Sequence, residues 1–482
     1  MDGHGGTASG TASGGSTKVG RRPTFVLPML PPATAPVSLP AAPLTWRHHF
    51  LGNARVAYPV VISQLGHIAV TVADSIVVGR LGELPLAGVA LATSVFVVVM
   101  VAGLGISMGL TPLVAAAAAR NRTNRLALLL GSGLAVCAAA GVVLAALGWA
   151  ATWVLPHLGE PPAVVALAAP FLRVLSLSMV PLMLFQALRQ YAEGMALTRQ
   201  AMLISLGANL LNIALNYVLV FGWLGGPALG MIGSAYATLL ARGLMLGAMA
   251  AWFWRAARFA PVRARLAARA KYARRMLGLG LPIAGQMLLE TGAFVFSALM
   301  MGWLGATALA AHQIAINVAS VTYMAASGIG AAATVRVGQL AGGGLRAEGR
   351  RAAIAALWLA FGFMLLMGLG LILSRHGLPW LYQPKPAEGG AARLLAAELL
   401  IIAALFQVSD GVQVAALGAL RGVEDVRVPG LISFVAYWVV ALPLGYWLAF
   451  RAGLGPMGLW AGLCLGLTVS AVALSWRVVR RM

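Results

Sequence analysis

Three carboxylates occupy stretches where a charge is costly. Asp74 in VADSIVVG, Glu290 in QMLLETGAF and Asp410 in QVSDGVQ each lie in an otherwise uncharged apolar run long enough to cross a bilayer as a helix. On insertion scales a charged side chain at mid-bilayer costs roughly 2.5 to 3.5 kcal/mol, so such residues have a partner, a cavity or a task. The other nine acids fall in the amino-terminal tail, in loops or near the start of a span, and read as solvated surface. Only Arg173 and Arg242 are basic residues deep within apolar runs, too few to neutralise three carboxylates. A carboxylate without a fixed partner holds a proton, a metal ion or a cationic ligand.

Polar neighbours accompany each acid. Gln286 precedes Glu290 by four residues, and Gln407 and Gln413 lie three either side of Asp410, so each acid has an amide on its own helical face. Asn209, Asn212 and Asn216 form a stripe on one face of the fifth run. The stripe either binds helices together or, with Asp74, lines an amino-terminal cavity. His67, seven residues before Asp74 on nearly the same face, reads as a packing histidine or as part of a proton relay. His312 and Gln313 suit helix-to-helix bonding. Cys137 and Cys464 both lie in apolar runs, and two such thiols build neither a disulfide framework nor a metal cluster. No HExxH, paired aspartates or Ser/His constellation falls within the spans, so no catalytic residue and no enzyme are expected.

The elements that must position these residues follow from composition. The chain of 482 residues is 60% hydrophobic and 10% charged, and apolar runs recur about twelve times. This is an all-α membrane protein, since a barrel would show short alternating segments instead. Of the 34 basic residues, 27 lie in the termini and even-numbered loops and five in the odd-numbered loops. By the positive-inside rule both termini are cytoplasmic. The net charge of +22 therefore records orientation and contact with anionic lipid rather than nucleic acid. With a constant offset, Pro59 to Thr111 aligns without a gap on Pro282 to Thr334, with prolines, glycines and a threonine in register. An even number of spans separates the copies, so the halves are parallel repeats related by a pseudo-two-fold axis along the membrane normal. The expected organisation is a disordered Gly/Ser/Pro-rich cytoplasmic tail (1–50), an N-terminal six-helix lobe (51–255), a basic interlobe loop (256–275) and a C-terminal six-helix lobe (276–482). Two lobes rocking about a central cleft have the geometry of a secondary transporter.

The stretches YPVVISQLGHIAVTVADSIVVGRLG, NLLNIALNYVLVFG, LPIAGQMLLETGAF, LGATALAAHQIAINVAS, GIGAAATVRVGQ and LFQVSDGVQVAALGALRGVEDVR together resemble the multidrug and toxic compound extrusion (MATE) family, in its NorM-like branch, over residues 50 to 480. The resemblance implies export of cationic, often aromatic compounds in exchange for Na+ or H+. It places the carboxy-lobe cation site on Glu290 and Asp410, which would be the ligands if the ion is Na+. The amino-lobe acid is Asp74, with Asn212 and Asn216. Two departures stand out: His67 replaces an uncharged amide, and the amino-terminal extension is unusual. The expectations are a monomer in the plasma (inner) membrane, small cationic substrates and membrane lipids as partners, and no organic cofactor. The nearest alternative is a lipid-linked oligosaccharide flippase of the same superfamily; a membrane-embedded enzyme is a more distant one.

Overall fold

The computed structural model describes residues 44–225, 228–382 and 390–482. The expected tail, apart from its last few residues, and the loop residues Lys385 and Glu388 lie outside the described residues. Twelve helices long and apolar enough to cross a membrane run in order: α1 (Trp46–Gly79), α2 (Glu83–Ala119), α3 (Thr123–Trp153), α4 (Pro162–Gly194), α5 (Thr198–Phe221), α6 (Met231–Arg255), α7 (Ala270–Trp303), α8 (Ala306–Gly342), α9 (Arg346–Ser374), α10 (Ala391–Gly422), α11 (Arg427–Arg451) and α12 (Gly455–Arg481). Helices α1–α6 pack into one lobe and α7–α12 into the other. The helices outrun the apolar stretches. Already at Ala270 the basic interlobe segment becomes the start of α7, α8 continues about two turns past Val335, where its uninterrupted apolar run ends, and α10 continues past Arg421 to Gly422.

The repeat is visible in the backbone. Gly82 and Gly305, equivalent in the two copies, end the turns after α1 and α7 with φ of 115° and 112°, a region open to glycine and strained for other residues. The same offset governs how the lobes meet. A Cβ added to Gly105 would lie 2.3 Å from Cα of Ala284 on α7. At Gly328, the repeat partner of Gly105, it would lie 2.5 Å from a methyl of Val61, the repeat partner of Ala284. Small residues therefore let α2 cross α7 and α8 cross α1 backbone to backbone, the device by which helices associate where the surrounding solvent is itself apolar.

All hydrogen bonds between the lobes lie toward the membrane end that carries the described chain ends. His49 Nε2 meets Glu348 at 2.9 Å, Asn53 donates to the Ala352 carbonyl at 2.9 Å, Arg120 to the Gly342 carbonyl at 2.5 Å, Gln339 to the Gly194 carbonyl at 3.2 Å, and Gln64 to the Ser327 hydroxyl at 3.4 Å. Beyond Gln64 and Ser327, no hydrogen bond or ion pair among the described residues joins α1–α6 to α7–α12. Among the described residues, polar contact between the lobes is thus confined to this one end, which leaves the other free of polar ties.

Candidate cation site

In the C-terminal lobe the site is assembled by α7, α10 and α11. Glu290 Oε1 accepts a hydrogen bond from the Tyr437 hydroxyl at 2.8 Å and another from Gln413 Nε2 at 3.0 Å, and these two donors are themselves 3.1 Å apart. Tyr437 lies on a π-helical stretch, Val435–Ala441, just before Pro443. A proline has no N–H to continue the α-helical ladder, and the widened turn is a common carrier of functional side chains. Asp410 sits one turn before Gln413 on α10, 5% exposed, with no hydrogen bond or ion pair to any described residue, and Glu290 is within its electrostatic reach.

Unspent polar atoms surround this pair. Both amide atoms of Gln407, Oε1 of Gln413 and Nε2 of Gln286 are buried without a hydrogen-bond partner. Buried polar groups are nearly always satisfied, so a cluster of orphans marks a place built for something else. The donor set, two carboxylates with amide and phenol oxygens, suits a hard cation or a proton. Among the described residues no three His, Cys, Asp or Glu side chains converge.

The structure corrects the expectation for two of these residues and for the count of deep cations. Arg421, placed by sequence in a loop, belongs to the last turn of α10; its guanidinium turns back into the lobe and donates to Gln286 Oε1 at 3.3 Å. Gln286 is thereby committed to Arg421 rather than to Glu290. Gln413, expected to flank Asp410, crosses to Glu290 instead. Arg421 lies within electrostatic reach of Glu290 without forming an ion pair, whereas Arg173 points away, over the ring of Trp149 at 5.8 Å. Tyr437 was invisible to spacing arguments, because its helix carries no acid to draw attention to it.

The N-terminal lobe holds a different arrangement. Asn216 Nδ2 donates to Asp74 Oδ1 at 2.6 Å and to Asn212 Oδ1 at 3.1 Å, and Asn212 donates to the Thr238 hydroxyl at 3.4 Å. Two members of the asparagine stripe thus join α5 to both α1 and α6. Asn209 makes no hydrogen bond and lies beside Gly66. Arg242 donates to Ser178 at 2.6 Å and covers Phe96 at 5.1 Å, in electrostatic reach of Asp74 and His67 but paired with neither. The His67 side chain is exposed and makes no hydrogen bond. His312 is buried edge-on to Trp460 at 5.7 Å with Nδ1 unpartnered, so it contacts α12 through its ring rather than bonding to it.

The MatE family profile matches residues 59–218 and 282–447, its two halves beginning at the prolines that head the repeat. The chain belongs to the MATE family. Within it the chain is NorM-like. It is 39% identical over 444 residues to a probable multidrug resistance protein NorM of Rhodopseudomonas palustris, spanning 92% of this chain and 94% of that one. It is 37% identical over 441 residues to the multidrug resistance protein NorM of Burkholderia vietnamiensis, spanning 91% and 95%. Among solved structures, an outward-facing MATE family transporter superposes with a TM-score of 0.82 at 20% identity, over 90% of this chain and 97% of that one. The eukaryotic MATE transporter AtDTX14 superposes with a TM-score of 0.81 at 21% identity, over 90% and 96%.

Proposed function

We propose that this MATE protein is a secondary active multidrug efflux antiporter that exports cationic organic compounds in exchange for Na+ or H+. The observation that carries the proposal is the carboxyl pair in the C-terminal lobe: Glu290 is held only by neutral donors and Asp410 by none, so each keeps its charge available for a cation. The NorM relatives are named for multidrug resistance, which agrees with a cationic organic substrate. A lipid-linked oligosaccharide carries negative charge and would meet two carboxylates in this lobe, which disfavours the flippase reading.

By the positive-inside rule the end where the lobes touch is cytoplasmic in an inner membrane, so the cleft faces outward in this conformation. Outside, Na+ or H+ takes Glu290 and Asp410 and lowers the affinity of the shared cleft for a cationic drug, which leaves. After the lobes rock, the ion departs to the cytoplasm, the carboxylates recover their charge and the next drug cation binds. Exclusive use of the same negative charge is what couples the two fluxes. Arg421, near Glu290 but unpaired with it, supplies a positive field that keeps the empty site from holding either cation too tightly. The proposed cycle is that of a monomer and uses no organic cofactor.

The test is efflux of a fluorescent organic cation from everted vesicles under an imposed sodium gradient and then an imposed pH gradient. One gradient is expected to drive transport in the natural protein, and neither in Glu290→Gln inserted at the same level. Equal rates in the variant would remove the carboxyl pair from the mechanism.

A further inference from the structure

A second polar cavity lies at the closed end, away from the cation site. It encloses about 360 Å³ between the lobes and is lined by five arginines, Arg120 and Arg125 from the N-terminal lobe and Arg275, Arg346 and Arg481 from the C-terminal lobe. Glu424 and the last residue, Met482, line it too. Even with a terminal carboxylate counted at Met482, five guanidinium groups face two carboxylates. Glu424 is already clamped by Arg275 through bonds of 2.6 and 2.9 Å. Just outside, Asp425 is taken by Arg477 at 2.8 Å and lies 3.8 Å from Arg481. Arg120 spends only its Nε, on the Gly342 carbonyl. The side chains of Arg125 and Arg346 form no hydrogen bond or ion pair with any described residue. The cavity therefore holds a surplus of positive charge. Orientation in the membrane accounts for basic residues at this end, several of them exposed; what it does not account for is the convergence of arginines from both lobes on one cavity.

The backbone supplies further donors. Arg346 opens α9, which has no side-chain cap and whose first backbone hydrogen bond is made only at Gly349, so free amide N–H groups add to the guanidinium fork there, whereas at α3 the amides of Thr123 and Arg125 are already bonded and Arg125 contributes its side chain alone. Planar forks beside helix N-termini are the chemistry that recognises a phosphate group. The geometry points to a binding site for a phosphate-bearing anion between the lobes, formed by Arg120, Arg125 and Arg346. Because its ligands come from both lobes, an occupant bridges them, and the conformation in which they touch at this end is the one it favours. The site does not depend on which ion drives transport, and it is read out by binding alone.

Two sources carry this chemistry, an anionic phospholipid of the inner leaflet and a soluble phosphate. The full chain is placed in nanodiscs of phosphatidylcholine with and without phosphatidylglycerol, and lipid retained after delipidation is counted by native mass spectrometry. In a parallel arm, thermal unfolding in neutral detergent is followed as pyrophosphate is added. The natural protein is expected to retain phosphatidylglycerol, or to gain melting temperature with pyrophosphate, and the arm that responds names the source. In Arg125→Gln/Arg346→Gln the response is expected to fall about tenfold or more, as for loss of two charge-assisted contacts. Arg173→Gln removes the same charge from α4, away from this cavity and over the ring of Trp149, and is expected to change nothing. Arg125→Gln alone, expected to weaken binding severalfold, serves if the double variant does not fold. Equal responses in the natural protein and in whichever of these variants folds, or no response in either arm, would overturn the assignment.

Discussion

The two lobes are copies of one fold with unlike chemistry. Under the repeat offset Glu290 corresponds to His67, and Asp74 to Ser297, whose hydroxyl bonds only to the Phe294 carbonyl at 2.7 Å. One arginine feature has survived in both: ALR ends the apolar part of α4 and of α10, with Arg189 in electrostatic reach of His67 and Arg421 in reach of Glu290. The C-terminal copy has placed two carboxylates close enough to interact, the N-terminal copy a single carboxylate bound into an asparagine relay. Duplication supplied the scaffold twice, and the side chains then diverged, to an interacting carboxyl pair in one lobe and a tethered acid in the other.

The largest test of that division compares Asp410→Asn with Asp74→Asn. Asp410 has no hydrogen-bond or ion-pair partner among the described residues to replace its charge, so its loss is expected to lower ion-coupled efflux about 100-fold, toward the upper end of measured site-to-site couplings. Asp74 shares its load with Asn216, and its loss is expected to cost about tenfold. Initial rates in everted vesicles decide; equal losses would mean the lobes are not specialised. Next in size is Tyr437→Phe, which keeps the ring and removes one donor to Glu290. A hydrogen bond to a charged group contributes about 1.5–3 kcal/mol. The half-saturating concentration of the coupling ion is therefore expected to move about tenfold, while Ser297→Ala in the same lobe leaves it in place.

Architecture was legible in the sequence because it depends on properties that any apolar run displays: length, repeat and the distribution of basic residues. The identities Gly82 with Gly305 and Gly105 with Gly328 were legible only as matches of the repeat; that the first pair ends a turn and the second sits at a helix crossing came from the structure. Side-chain partnerships were less legible. Placing Gln413 beside Asp410 assumed that residues on one face of a helix serve one another. Across a bundle, however, the nearer carboxylate belonged to α7. Arg421 was misjudged because polarity was read as the end of a helix, whereas a long arginine can extend back along it into the lobe. Tyr437 gave one weak signal, a phenol six residues before a proline in an apolar span.

The shared scaffold can be probed separately from the divided chemistry. Gly105→Ala and Gly328→Ala each insert one methyl between the lobes, at equivalent positions. Overpacking of this kind costs about 1–3 kcal/mol. Gly105→Ala is expected to be the more harmful, since its methyl would meet the Ala284 backbone, while at Gly328 the nearest atom is a Val61 methyl that can rotate aside and the nearest backbone atom is 3.0 Å away. Thermal unfolding in detergent gives the order, and the reverse order would show that the Val61 methyl does not give way.

The smallest effect is expected at His67, and it bears most directly on the comparison. Its ring makes no hydrogen bond with any described residue, and Arg242 and Arg189 lie in its electrostatic reach. An imidazole carries no negative charge, so at the position equivalent to Glu290 it does not attract an organic cation or Na+ as a carboxylate does. His67→Gln is therefore expected to change efflux less than about threefold under either gradient, within the range of an exposed substitution. His67→Glu instead restores the repeat equivalent of Glu290 beside Asp74. If it creates a second cation-dependent step, measurable as a steeper dependence of rate on the coupling ion, the lobes differ by that one side chain. If it only lowers the rate, the asparagine relay around Asp74 has committed its lobe to a different task.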